Sequence, residues 1–149
     1  MYKTLKEVTQ IAEDLNMTIG AFNTHNLEML PEMIRAAKEM GSPIIIQTSI
    51  DTAKYIGYDV MVAVVKEIAN TEMVDVALHL DHARDFNEIK AAIDAGYSSV
   101  MYDGSHLPFK ENIAKTKAVV EYAHANGVSV EGELGTIGGT EEGISVAEN

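Results

Sequence analysis

Val74-Asp75-Val76-Ala77-Leu78-His79-Leu80-Asp81-His82 is an apolar run with the composition of a buried β-strand, and it ends in a carboxylate beside an imidazole. Val and Leu bury readily, whereas an Asp–His pair costs free energy in a core unless it is paired or holds a metal. In repeating β/α proteins the C-terminal ends of the strands carry the chemistry. Asp81 and His82 are therefore the first candidates for an acid/base group and a metal ligand.

On either side of this run, β-branched stretches alternate with helical ones. Thr4 and Glu7 have capping-box spacing and open a helix to about residue 15. Strands are predicted over 18–23, 43–48, 74–81, 97–102 and 128–133. The intervening helices cover about 27–40, 59–69, 85–96 and 111–125. Pro31 suits a first helical turn, Gly41 and Gly96 suit helix ends, and Asp85 with Glu88 has the spacing of a second capping box. Residues 135–149 are rich in Gly, Thr and Glu without a period, and read as a mobile loop. Strands separated by helices of this length indicate βαβ units and a parallel sheet. The pattern fits either a doubly wound sheet or part of a (β/α)8 barrel, since a whole barrel takes about 250 residues.

The chain has 149 residues, 46% hydrophobic and 23% charged, with a net charge of −12. That balance argues against nucleic acid or an anionic membrane as the main partner. The absence of cysteine excludes thiolate sites, so any metal must use His and carboxylates. No apolar run approaches the roughly 20 residues of a membrane span, and the first ten residues are unlike a signal peptide. A cytoplasmic location is the expectation.

Each predicted strand ends in polar residues: Asn23, Ser49, Asp81 with His82, Asp103 with Ser105, and Glu133. Any one of these could be an ordinary cap or turn residue. In a parallel sheet all of them gather at one end, where three carboxylates would repel one another without a cation or proton among them. His82 would add a nitrogen ligand, and zinc accepts both donor types. His79 shares the face of Asp81 and is expected to pack or hydrogen-bond within the sheet. His25, His106 and His124 occupy loop or helix positions.

Five ordered segments carry a resemblance: GAFNTHNLE (20–28), ALHLDHA (77–83), GYSSVMYDGSHLPFKENI (96–113), YAHANGVSVEGELG (122–135) and GGTEEG (138–143). With them, nearly the whole chain resembles the N-terminal half of the class II, metal-dependent fructose- and tagatose-bisphosphate aldolases. Ala83 and Gly132 replace a Gly and an Ala usual in the family, and neither carries a functional group. The resemblance implies a (β/α)8 barrel, of which these residues supply about five strands, and a glycolytic lyase of carbohydrate metabolism. The reaction implied is reversible cleavage of a phosphorylated ketose, fructose or tagatose 1,6-bisphosphate, to dihydroxyacetone phosphate and glyceraldehyde 3-phosphate.

By the same resemblance Asp81 is the acid/base at the C4 hydroxyl and His82 a ligand of the catalytic zinc. Asp103 and Glu133 match the carboxylates of a second divalent metal position. Ser49 lies near the aldehyde fragment, Asn23 helps hold the reacting intermediate, and Glu141 moves a proton at the dihydroxyacetone phosphate carbon. A homo-oligomer, dimer or tetramer, is expected. The family's other zinc ligands and main phosphate loops lie in the second half of its barrel, so these 149 residues alone are expected to bind zinc poorly and to be inactive. The rival readings are a class II aldolase acting on another phosphorylated sugar, and a non-catalytic half-barrel. Retention of Asp81 speaks against the latter.

Overall fold

The computed structural model describes residues 1–135 and the backbone of 139–141 and 144–146. The elements in chain order are α1 (Leu5–Asp14), β1 (Gly20–Asn23), α2 (Met29–Glu39), β2 (Ile44–Thr48), α3 (Ile50–Ile56) and α4 (Tyr58–Glu72). They continue with β3 (Val76–Ala83), α5 (Phe86–Ala95), β4 (Ser99–Tyr102), α6 (Phe109–Ala125), β5 (Ser129–Gly132), β6 (Gly139–Glu141) and β7 (Ile144–Val146). All five predicted strands form, and local chemistry explains most of the element ends. Thr4 and Glu7 make the reciprocal capping box of α1. Gly96 closes α5 at φ 104°, a left-handed backbone that glycine adopts without a Cβ clash.

Two local expectations are corrected. The Asp85 side chain caps α5 through Asn87 N at 2.6 Å, and Glu88 instead accepts from Tyr58 and Lys54, so no reciprocal box forms. The predicted helix over 59–69 is longer, and it follows a separate short helix, α3. Ser49 starts α3, and Gly57 at φ 97° separates it from α4. Within the aperiodic tail, β6 and β7 pair as an antiparallel ribbon. The remainder of the tail lies outside the described residues.

The strands lie in the order β1-β2-β3-β4-β5, and every neighbouring pair is parallel. A doubly wound sheet reverses its order at a switch point. This sheet does not reverse. Sequential parallel strands with helical crossovers are the topology of a (β/α)8 barrel, and the chain supplies five of the eight strands.

Alternation along each strand divides the sheet into two faces. Ile44, Ile46, Val76, Leu78, Leu80 and Val100 pack against α2–α6 in the main core. Ile45 and Ala77 face the other way and meet Val8 of α1, with Leu5 and Ile19 alongside. Lys6 N donates to Ser129 Oγ at 3.1 Å, tying the start of α1 to the start of β5. An apolar plug thus fills the inner face near the strand beginnings, and the polar residues occupy the opposite end. No described helix is long and apolar enough to cross a membrane.

Candidate active site

Neighbouring residues in a regular strand point to opposite faces, so Asp81 and His82 should not be able to share a site. The end of β3 breaks that rule. His82 has φ 49°, in the left-handed region, and the β3–β4 register shifts between Leu80 and Ala83. Such a bulge re-aims a side chain, and its cost for a non-glycine residue is of order 1–3 kcal/mol. The result is that His82 Nε2 lies 3.9 Å from Asp81 Oδ1, and both side chains serve the same strand end.

Asn23, at the end of β1, donates from Nδ2 to Asp81 Oδ2 at 3.0 Å. On the other side, His82 Nδ1 stands 3.7 Å from Asp103 Oδ2 and 3.7 Å from Glu133 Oε2. One donor atom from each of His82, Asp103 and Glu133 lies within 4.8 Å of the others. An imidazole nitrogen with two carboxylate oxygens suits zinc or another divalent cation, which would also relieve the repulsion between the carboxylates.

Asp103 is almost fully buried and still ionised. Burial would raise its pKa, but hydrogen bonds from Ser105 and Arg84 bring it below the usual carboxylate value. Ser105 contributes its N at 3.1 Å and its Oγ at 2.6 Å to Oδ1, and Arg84 Nε reaches Oδ2 at 2.9 Å. Glu133 follows β5, and its carbonyl accepts from the buried Asn112 Nδ2 at 2.7 Å. Asn112 fits only because residue 104 is glycine: a Cβ there would stand 2.2 Å from Asn112 Oδ1.

Beneath Asp81 on the same face, the buried His79 pairs through Nδ1 with Ser99 Oγ at 2.7 Å, and its Nε2 lies 3.4 Å from Glu131 Oε2. Burial lowers the His79 pKa to about 4, so the ring is neutral at neutral pH. The expected packing role within the sheet is what His79 has. Ser49 stands at the end of β2, where its hydroxyl accepts from Thr52 N at 3.3 Å as the cap of α3. The side chain of Glu141 lies outside the described residues, and its backbone belongs to β6.

Sequence reasoning brought Asn23, Asp81, His82, Asp103 and Glu133 to one end of the sheet, and they meet there. It missed Arg84, Glu131 and Asn112. By the predicted elements Arg84 falls in a loop and Asn112 in a helix, and nothing short of strand register shows that they face Asp103 and Glu133. Glu131 was discoverable, since it lies two residues before Glu133 and so shares its face.

The family model of class II fructose-bisphosphate aldolases matches residues 3–149. The chain belongs to this family. A fructose-bisphosphate aldolase of Streptococcus pyogenes serotype M1 is 46% identical over 142 residues, covering 93% of the chain and 48% of that protein. One from Staphylococcus aureus strain Mu50 is 43% identical over 144 residues, covering 95% and 50%. Among solved structures, the YdjI aldolase of Escherichia coli K12 is similar with a TM-score of 0.81 at 33% identity, covering 91% of the chain and 51% of its own. A putative fructose-1,6-bisphosphate aldolase from Coccidioides immitis gives 0.84 at 33%, covering 95% and 50%. The chain therefore spans about half the length of the aldolases it matches.

Proposed function

We propose that this chain carries the acid/base half of a zinc-dependent class II aldolase. The reaction is the reversible cleavage of a ketose 1,6-bisphosphate, fructose or tagatose, to dihydroxyacetone phosphate and glyceraldehyde 3-phosphate. The observation that supports this reading is the bulge at His82, which sets a carboxylate and an imidazole side by side in a member of this family. A strained residue that aims two ionisable groups at one point is hard to account for by folding alone.

Cleavage removes the C4 hydroxyl proton and leaves negative charge next to the ketose carbonyl. Asp81 accepts that proton. The Asn23 amide fixes one of its oxygens and leaves the other to face the substrate. His82 would hold zinc, and Asp103 and Glu133 are the carboxylates that a second divalent ion would need. Bound there, a divalent cation supplies Lewis-acid polarisation of the carbonyl. Ser49 would stand near the aldehyde fragment, and Glu141 would exchange a proton at the dihydroxyacetone phosphate carbon. A cytoplasmic homo-oligomer is the matching setting.

No Lys stands at the end of any of strands β1–β5, which disfavours a Schiff-base route through the described residues. The deciding experiment dialyses the full-length protein against a strong chelator and assays cleavage of both bisphosphates. Loss of activity, restored by zinc, is expected. Undiminished activity without metal, or trapping of substrate by borohydride, overturns the reading.

A further inference from the structure

Asp103 is close to saturated as a hydrogen-bond acceptor before any metal is considered. An ionised carboxylate offers about four lone-pair positions. Ser105 fills both on Oδ1, with its N at 3.1 Å and its Oγ at 2.6 Å. On Oδ2 the Arg84 guanidinium takes another at 2.9 Å. The carboxylate is 2% exposed, so water does not screen the pair well.

We propose that Arg84 is a resident cation that suppresses the second divalent position, so the site holds one tightly bound metal ion and one arginine. The proposal rests on the metal-dependent reading above and refines it. A divalent ion bridging Asp103 and Glu133 would have to bind Asp103 through Oδ2, the oxygen facing His82 and Glu133. With a metal–oxygen bond of roughly 2.1 Å, that ion would stand no further than about 5 Å from the Arg84 Nε. Like charges at that separation in a partly buried site repel strongly. Lysine could swing away from such an ion. Arginine, with a planar guanidinium and a permanent charge, yields less easily.

Arg84 owes this position to the same bulge that turns His82. The shifted register ends β3 at Ala83, and the next residue then lies beside the end of β4, where Asp103 begins its loop. Arg84 accordingly holds the Asp103 carboxylate in place whether or not a second ion is present, and fixes the cation stoichiometry in the covalent sequence.

The test strips the full-length protein of metal and titrates it with Mn²⁺, reading free Mn²⁺ by electron paramagnetic resonance. Wild type should bind one ion tightly and a second only weakly. Arg84→Gln should strengthen the second step by roughly tenfold or more, because the repelling charge is gone. Arg84→Met, neutral and similar in length, should match Arg84→Gln and guards against a folding defect peculiar to one variant. Arg84→Lys, charged but able to swing aside, should fall between wild type and the neutral variants. Two equally tight ions in wild type, or an unchanged second step in both neutral variants, overturns the proposal while leaving the metal-dependent reading intact. If no tight Mn²⁺ binds to wild type or to any variant, both fall together.

Discussion

Asn23 Nδ2 donates to Asp81 Oδ2 at 3.0 Å, joining the end of β1 to the end of β3 across β2. The two residues are 58 apart in sequence, and the bond exists only because β1, β2 and β3 stack in parallel register. It fixes one carboxylate oxygen of the proposed acid/base and so determines which oxygen is available to a substrate.

Replacing Asp81 by Asn should lower turnover by about 10²–10⁴-fold, the usual contribution of a positioned acid/base group. Metal content should stay near the wild-type value. Replacing His82 by Ala should show the opposite pattern, with metal lost first and activity falling with it. Metal analysis alongside kcat for both variants separates the roles. A metal-free Asp81→Asn protein that recovers full rate in excess zinc would mean the two assignments are interchanged.

Gly104→Ala should destabilise the protein by about 1–3 kcal/mol, the range for overpacking a close contact. The new Cβ would sit 2.2 Å from Asn112 Oδ1 and force off the side chain that holds the Glu133 carbonyl. Urea unfolding measures the loss. Pairing the substitution with Asn112→Ala should recover part of it, since the obstructed atoms are then absent. A fully additive double variant would count against this contact as the cause.

Stability should depend on pH through His79. Its pKa is lowered from 6.5 to about 4 by burial, so between those values the unfolded chain takes up the extra proton. The contribution is at its full value above about pH 6.5, declines as pH falls toward 4 and is constant below, a total of roughly 3 kcal/mol. The Glu131 carboxyl, raised by burial and by Asp81, opposes part of this decline. Asp103, already lowered, adds its own loss only below its reference value of 3.8. Urea unfolding at about pH 7.5 and about pH 5 should therefore show a smaller difference in His79→Gln than in wild type. An equal difference in both proteins would remove His79 as the source.

Glu141→Ala in the full-length protein should slow exchange of the dihydroxyacetone phosphate carbon-bound proton with solvent by about 10²–10⁴-fold, with little change in the affinity for that triose. Isotope exchange followed by NMR reads the rate, and inhibition by the triose reads the affinity. If exchange is unchanged, Glu141 is ordinary surface charge.

Strand and helix periodicity by itself placed β1 to β5, and Thr4 with Glu7 announced α1, because these signals depend on near neighbours in the chain. The short α3 escaped notice because seven residues carry too little period, and Glu88 left its expected cap because Tyr58 and Lys54 offered it partners from distant segments. Composition likewise marked Asp81, His82, Asp103 and Glu133 as residues too costly to bury without purpose. What composition and periodicity could not decide was whether the sheet was doubly wound or barrel-like. That depends on strand order, a property of long-range pairing that local patterns leave open and that only the ordered motifs, through their family resemblance, anticipated. The sequence named both Asp81 and His82 for one site, and the tertiary structure showed how two adjacent residues can share it. A regular strand forbids it, and the left-handed turn at His82, held by the shifted register with β4, brings it about. Arg84 became a partner of Asp103 for the same reason: a hydrogen bond across 19 residues is set by register, which no single segment of the sequence encodes.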